Sequence, residues 1–293
     1  MIKLAALLLL LSFAQPQFVA DPPHKCGDCA EWNKAREPFR VFGNTYFVGT
    51  DGLSALLVTG DAGHVLLDAG LPQSAPLIDA NIRKLGFKTQ DIKLIVVSHG
   101  HFDHGGGVAS LQRFTGAQVA ASPSTAAAMR RGENTVDDPQ FALGPEFNRF
   151  PPVKTVREAA DGEVLRVGNL AVTVHHIPGH SPGSTAYTWR SCLDHTCHDM
   201  VYADSLTSVS ADGFKYGKRL ESFRRSIEKV AALPCDIVLS PHPFFTQVDE
   251  KLRRRAGMKG QGPDPFVDPD GCRAYAADGL KRLEARAIEE AKQ

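Results

Sequence analysis

The sequence predicts a mixed α/β (α+β) domain in which two sheets are sandwiched between helices. Three observations carry that expectation. Short strand signals open the chain's first half, buried-strand segments then alternate with helical periodicity, and the second half repeats the order from strands to helices with no Gly/Ser linker between the halves. The 293 residues, 43% hydrophobic and 23% charged, suit a globular domain and exclude wholesale disorder. Lys+Arg 33 balance Asp+Glu 33, which leaves no positive field for a polyphosphate backbone and argues against a nucleic-acid partner.

Taken in order, residues 1–20 place Lys3 before an apolar run from Leu4 to Ala14 that is too short to cross a bilayer. They read as a secretory signal peptide cleaved after Ala14 or after Ala20, leaving 21–293 as a single domain that works outside the cytoplasm. No later stretch is long and apolar enough to anchor the chain in a membrane. From Phe39 to Leu67 the segments LSALLVTG and HVLLDAG flank the turn residues GDAG, as in a β-meander. Leu77, Ile78, Ile82 and Leu85 then lie at helical spacing, and Ile92–Val97 is a continuous apolar run of buried-strand length. The segments 108–114, 117–121 and 124–131 read as helix, strand and helix. Residues 132–162 have no clear period, and so long an irregular stretch inside a compact domain is more often functional than idle. Strands resume at 163–167, 170–177, 184–190 and 200–204. An amphipathic helix on Leu220, Phe223, Ile227 and Val230 follows, then a buried strand at 236–240 and a C-terminal helix on Leu280, Leu283, Ala287 and Ile288.

The chemistry concentrates where the strand ending at Val97 empties into Ser98-His99-Gly100-His101-Phe102-Asp103-His104-Gly105. Three imidazoles and a carboxylate within six residues are good zinc ligands, and a loop just after a buried strand holds them where substrate can arrive. Zinc prefers four ligands, so two metals need more groups than this loop supplies. His180, in Pro178-Gly179-His180-Ser181-Pro182-Gly183, and His242, in Ser240-Pro241-His242-Pro243, each leave a strand and can complete the set. The remaining histidines lack that context. Six cysteines fit an oxidising compartment. Cys192 and Cys197 are close in sequence, and Cys235 and Cys272 lie farther apart. Cys26 and Cys29 form a C-x-x-C that reads as a local disulfide, since no second such motif or thioredoxin-like unit accompanies it. The sequence alone does not select a pairing.

H-x-H-x-D-H, P-G-H-S-P-G-S and the late histidine resemble the metallo-β-lactamase superfamily over most of the mature chain. Segments 176–189 (HIPGHSPGSTAYTW), 201–210 (VYADSLTSVS) and 240–245 (SPHPFF) are most similar to class B, subclass 3 (B3), the zinc carbapenemases of the bacterial periplasm. The resemblance implies a four-layer αββα sandwich with two Zn2+ per subunit at one edge. It implies His99, His101 and His180 on the first zinc and Asp103, His104 and His242 on the second. The implied nucleophile is a zinc-bound hydroxide, which Asp103 would orient in attack on the β-lactam amide of carbapenems, cephalosporins and penicillins, conferring antibiotic resistance. Ser205 stands where other subclasses carry a cysteine ligand, and Ser205 and Thr207 match hydroxyls that hold the substrate carboxylate. The stretch around Gln140, Phe141 and Phe147 resembles the loop walling the substrate groove, although its aromatics fit an ordinary core equally well. Cys235 with Cys272 and Cys192 with Cys197 match disulfides of the subclass. Some relatives pair the first cysteine with one in the meander, where this chain has Asp51, which leaves Cys29 as the partner of Cys26. With no heptads or association segment, a monomer is the default.

A lactonase or a glyoxalase-II-like thioesterase would share H-x-H-x-D-H and would bridge its metals with an aspartate near the position of Asp204. The orientation of Asp204 therefore separates the readings. A nuclease is disfavoured by the neutral charge. A purely structural zinc protein is disfavoured by six ligands that leave a water position open.

Overall fold

The computed structural model describes residues 18–258 and 260–292; residues 1–17 of the expected signal peptide lie outside the described residues. Among them, seven strands form a first sheet in chain order: β1 (Phe39–Phe42), β2 (Thr45–Phe47), β3 (Leu56–Val58), β4 (His64–Leu67), β5 (Ile92–Val96), β6 (Gln118–Ala121) and β7 (Arg157–Glu158). β1 to β4 pair antiparallel as the expected meander, whereas β4 to β7 pair parallel, with helices carrying the chain back between strands. A second sheet contains β8 (Val164–Val167), β9 (Leu170–His176), β10 (Thr185–Leu193), β11 (Thr196–Tyr202) and β12 (Ile237–Leu239), with β12 parallel to β11 at one edge.

Three apolar layers between four structural layers show why the sheets stack. Val65, Leu67, Leu94 and Val96 of the first sheet meet Val172, Val174, Tyr187, Trp189 and Tyr202 of the second. On the outer face of the first sheet, Leu66 and Ile95 pack with Ile78 and Ile82 of helix Ala75–Lys84 and Leu111 of helix Val108–Thr115. On the outer face of the second, Val201 and Val238 pack with Phe223, Ile227 and Val230 of helix Arg219–Ala231 and with Tyr275 and Leu283 of helix Gly271–Ala291. β4 is buried on both faces, as is β5 beyond the exposed Lys93, which is why they read as apolar runs, while β9 alternates buried and half-buried residues. The architecture is the αββα sandwich that the sequence implied.

Departures from the expected elements have local causes. The strand expected from Leu53 shrinks to Leu56–Val58, because the loop before it is drawn toward the second sheet by the Ser54 amide donating to the Pro241 carbonyl at 2.7 Å. Helix Val248–Gly257 was not expected; VDEKLRRRAG buries only Val248 and Lys251, too little apolar surface to leave a period. Residues 132–162 contain one short helix, Pro145–Asn148, a 3-10 turn at Phe141–Leu143 and β7, and are otherwise irregular.

All six cysteines are paired, as Cys26–Cys29, Cys192–Cys197 and Cys235–Cys272. Cys192 and Cys197 face each other across the β10–β11 hairpin, and Cys235–Cys272 fastens the approach to β12 to the C-terminal helix. A cross-link restricts the unfolded chain more when it closes a longer loop. Replacing Cys235 and Cys272 together by alanine is therefore expected to cost about 3–4 kcal/mol in urea denaturation, against about 2 kcal/mol for the Cys192/Cys197 pair. Equal losses, or a larger loss for the hairpin pair, would contradict this ordering.

Candidate metal centre

The carboxyl ends of β5, β9, β11 and β12 all open onto one edge of the sandwich, and each delivers a polar segment there. A buried clamp beneath that edge fixes the two sheets against each other. The Asp68 carboxylate accepts hydrogen bonds from the Ser98 amide at 2.7 Å, the Ser98 hydroxyl at 2.7 Å and the Tyr202 hydroxyl at 2.8 Å. Tyr187 donates its hydroxyl to the Val97 carbonyl at 2.9 Å, and the Thr185 amide donates to the Ser98 carbonyl at 2.9 Å. Burial pushes the Asp68 carboxyl up to about 6, against the pull of His104 and of these donors. Two glycines allow backbone to approach where a side chain could not. A Cβ on Gly107 would lie 2.3 Å from the Ala69 carbonyl oxygen, and one on Gly179, just before His180, would lie 2.0 Å from the Phe223 ring.

The clamp presents two clusters. His99, His101 and His180 bring one ligand atom each to within 4.8 Å of one another, and Asp103, His104 and His242 do the same. The clusters adjoin, with the His99 and His104 rings 4.4 Å apart between centroids. Asp103 Oδ2 lies 3.2 Å from His104 Nε2 and 3.4 Å from His242 Nε2. His99, His101, Asp103, His104 and His180 are buried, and His242, with its side chain 12% exposed, is the most open member.

Four of the five imidazoles use one nitrogen on a group outside the two clusters, which identifies the nitrogen left for a metal. His99 Nδ1 lies 2.7 Å from Asp204 Oδ1, and its Nε2 is buried with no hydrogen-bond partner. His180 Nδ1 lies 2.9 Å from the Thr207 carbonyl and 3.0 Å from its hydroxyl; His242 Nδ1 lies 3.1 Å from the Gly52 carbonyl. Both therefore turn Nε2 to their own cluster, as His99 does. His101 is reversed, with Nε2 3.0 and 3.1 Å from the Asp138 carboxylate oxygens, so that Nδ1 is the available atom. His104 turns Nε2 to Asp103 and leaves Nδ1 buried, 3.9 Å from Asp68.

The protonation preferences follow. Burial and repulsion by neighbouring imidazoles hold His99 well below the usual histidine range and His180 down to about 3, so both offer a lone pair at neutral pH. Burial also opposes charge on His101 and His104, but Asp138 and Asp103 respectively outweigh it and raise both. Burial would raise Asp103, yet His104 and His242 hold it well below the ordinary carboxylate range. Two imidazoles that stay neutral, an ionised carboxylate beside them and a buried His99 nitrogen with no partner fit divalent metal ions bound through nitrogen and oxygen.

All six residues singled out as ligands in the sequence come together here. Asp204, the residue that could have bridged two metals, belongs to neither cluster; its Oδ1 serves His99 and the Ser205 amide, the latter at 2.7 Å. Ser205 is buried beside it. Thr207 reaches His180 through both its carbonyl and its hydroxyl. Gln140 is buried, its amide donating to Asp138 at 2.9 Å, while Phe147 packs edge-on against Phe102. Sequence reading missed Asp138, the Gly52 carbonyl and Asp68. Asp138 sits in a stretch without period, and only the folded chain brings it to His101. Three histidines outside the site have ordinary partners: His175 with Thr188, His176 with the Ala159 carbonyl, and His198 with Asp236.

The sequence profile described as the metallo-beta-lactamase superfamily matches residues 48–193. Among solved structures, the chain is similar to the Rm3 metallo-beta-lactamase at 49% identity and a TM-score of 0.86, over 92% of this chain and 100% of that one. It is similar to MEM-A1, a subclass B3 metallo-beta-lactamase from a soil metagenome library, at 43% identity and a TM-score of 0.84, over 89% and 100% of the two chains. Among curated proteins, it is 36% identical over 124 residues to an acyl-coenzyme A thioesterase, MBLAC2, of Gallus gallus, covering 39% of this chain and 43% of that one. The chain spans about half the length of the curated relatives it matches.

The raised histidines set a pH dependence for the metal-free chain. His101 and His104 bind protons more tightly folded than unfolded, so their stabilisation is complete below the unfolded value of about 6.5 and is lost as pH rises through their folded values. His99 and His180 are neutral in both states above about 6.5 and contribute nothing there. The melting temperature of chelator-treated protein is expected to fall from about pH 6.5 toward pH 8.5. A melting temperature that rises over this interval would contradict the assignment.

Proposed function

The chain belongs to the metallo-beta-lactamase superfamily, and on that premise we propose that it is a subclass B3 β-lactamase that uses two zinc ions to hydrolyse the β-lactam amide of carbapenems, cephalosporins and penicillins. One observation carries the reading: the two ligand clusters adjoin with no thiolate among them and with Asp204 turned to His99. His99 Nε2, His101 Nδ1 and His180 Nε2 would hold one zinc, and Asp103, His104 Nε2 and His242 Nε2 the other. Zinc held there would supply Lewis-acid polarisation of the amide carbonyl and activate water as the nucleophile.

The chain's own residues do the positioning. Asp103, ionised far below neutral pH, can accept a hydrogen bond from the attacking water and orient it as well as bind metal. Ser205 is offered as a donor to the substrate carboxylate; Thr207 is offered too, though its hydroxyl also serves His180. Gln140 and its neighbours are offered as a wall of the substrate groove, on the resemblance of this stretch to that loop. No protein nucleophile is needed, so inhibitors that acylate an active-site serine should leave the enzyme unaffected. Three disulfides support an oxidising compartment, and with the leader read at residues 1–20 they favour a periplasmic enzyme. No helix among the described residues is long and apolar enough to cross a membrane, and a monomer is the working assembly.

The thioesterase reading draws on the partial likeness to the chicken enzyme, but an Asp204 already engaged with His99 and the Ser205 amide favours the lactamase. The deciding experiment is carbapenem hydrolysis by the mature protein as isolated, after chelation and after zinc is restored. Loss and recovery of turnover are expected, whereas a folded, zinc-loaded sample with no turnover rejects the lactamase and makes lactones and thioesters the next substrates. Asp103→Ala should lose the second zinc and lower kcat/KM by about two orders of magnitude or more. An undiminished rate would remove Asp103 from the mechanism.

A further inference from the structure

Asp138 has no part in the ligand set, yet its environment is unusual for a carboxylate. Its side chain is 3% exposed, and its oxygens accept from three donors: His101 Nε2 at 3.0 and 3.1 Å, the Gln140 amide at 2.9 Å and Asn134 Nδ2 at 3.3 Å. A buried charge persists only where such donors offset its desolvation. Two of them belong to the irregular stretch itself, which Asp138 also organises through its backbone: its amide donates to the Thr135 carbonyl and its carbonyl accepts from the Phe141 amide. The third belongs to the loop that carries the metal ligands.

Elsewhere, the irregular stretch is hydrogen-bonded to the opposite flank of the site. The Ala211 amide donates to the Pro139 carbonyl at 2.9 Å, and Arg219 Nη1 donates to the Asp137 carbonyl at 2.6 Å. Among the described residues, the His101–Asp138 contact is the hydrogen-bonded link between segment 132–150 and the loop 98–107. It is also the contact that gives His101 its reversed orientation, since a proton held on Nε2 by Asp138 leaves Nδ1 for metal, opposite to His99 and His180. We propose that Asp138 is a positioning residue that fixes His101 in its metal-binding tautomer and ties segment 132–150 to it, so that filling the metal site and ordering that wall of the groove are one coupled event. The proposal rests on the reading of His99, His101 and His180 as zinc ligands.

The test uses the full mature chain, zinc as the probe, and two readouts other than turnover. Zinc affinity is measured by competition with a chromophoric chelator, and amide hydrogen exchange over 132–150 is measured with and without zinc. In the wild type, zinc should slow exchange across the segment. Asp138→Ala should weaken zinc binding at the His101 site by about 10–100-fold and abolish the zinc dependence of exchange. Asp138→Asn keeps the shape and one acceptor oxygen, should fall between the two, and carries the test if the alanine variant does not fold. If Asp138 only packed the segment, exchange would rise equally with and without zinc at unchanged zinc affinity, and that result overturns the proposal. A wild type that takes up no zinc overturns the ligand reading and this proposal with it; a zinc-binding wild type whose variants behave identically overturns this proposal alone.

Discussion

A buried imidazole has two nitrogens and can satisfy only one on the protein if it is to hold a metal with the other, and much of the structure around this site meets that constraint. Four of the five histidines have one nitrogen within 3.1 Å of a partner, and those partners come from three separate segments, at Gly52, at Asp138, and at Asp204 and Thr207. The chain is brought together from far-apart positions to supply them, with 190 residues between His242 and Gly52 and 105 between His99 and Asp204. Without these partners a ring could rotate or change tautomer, and the lone pairs would not converge.

Such convergence requires a rigid base, and the fold provides it at the one edge where strands of both sheets end. The Asp68 carboxylate binds Ser98 of the first sheet's loop and Tyr202 of the second sheet, so the ligand loop cannot shift relative to β11 without breaking a buried charge-assisted hydrogen bond. The carboxyl is raised to about 6 because even three donors do not fully replace water. That cost is borne at the joint between sheets whose apolar faces are fully buried, where the sandwich is best able to hold it. Asp68 also adopts a left-handed backbone conformation, φ 57°, a second local cost concentrated beside the site.

How much of this was legible in the sequence divides along physical lines. The layers were legible because apolar period is written locally: Ile92–Val97 reads as a buried strand and Phe223, Ile227 and Val230 as a helix face wherever they occur. The candidate ligands were legible because metal binding demands particular side chains at strand ends; that context singled out His180 and His242, and the resemblance apportioned them between the two clusters. Helix Val248–Gly257 was not legible because its charged sequence gains its place from tertiary contact. Asp138 was not legible for a related reason. An aspartate in an irregular stretch has no local signature, and its meaning comes from a ring 37 residues away in sequence that only the folded chain brings within 3.0 Å. Asp204 was legible as a suspect but not as to its role, because one carboxylate at that position can bridge metals or orient a histidine, and the distinction is one of side-chain direction.

That distinction bears on how one scaffold can host different hydrolases. A carboxylate that enters the metal set adds negative charge between the ions, whereas one spent on His99 makes that ligand a better donor and leaves the charge of the second cluster to Asp103 alone. The clusters then hold one ionised carboxylate among five imidazoles, a donor set that would leave two bound divalent ions with a net positive charge. The geometry of Asp204 is thus a choice of electrostatics as well as of ligand number. It is made by the same kind of buried hydrogen bonds that hold the rings in place.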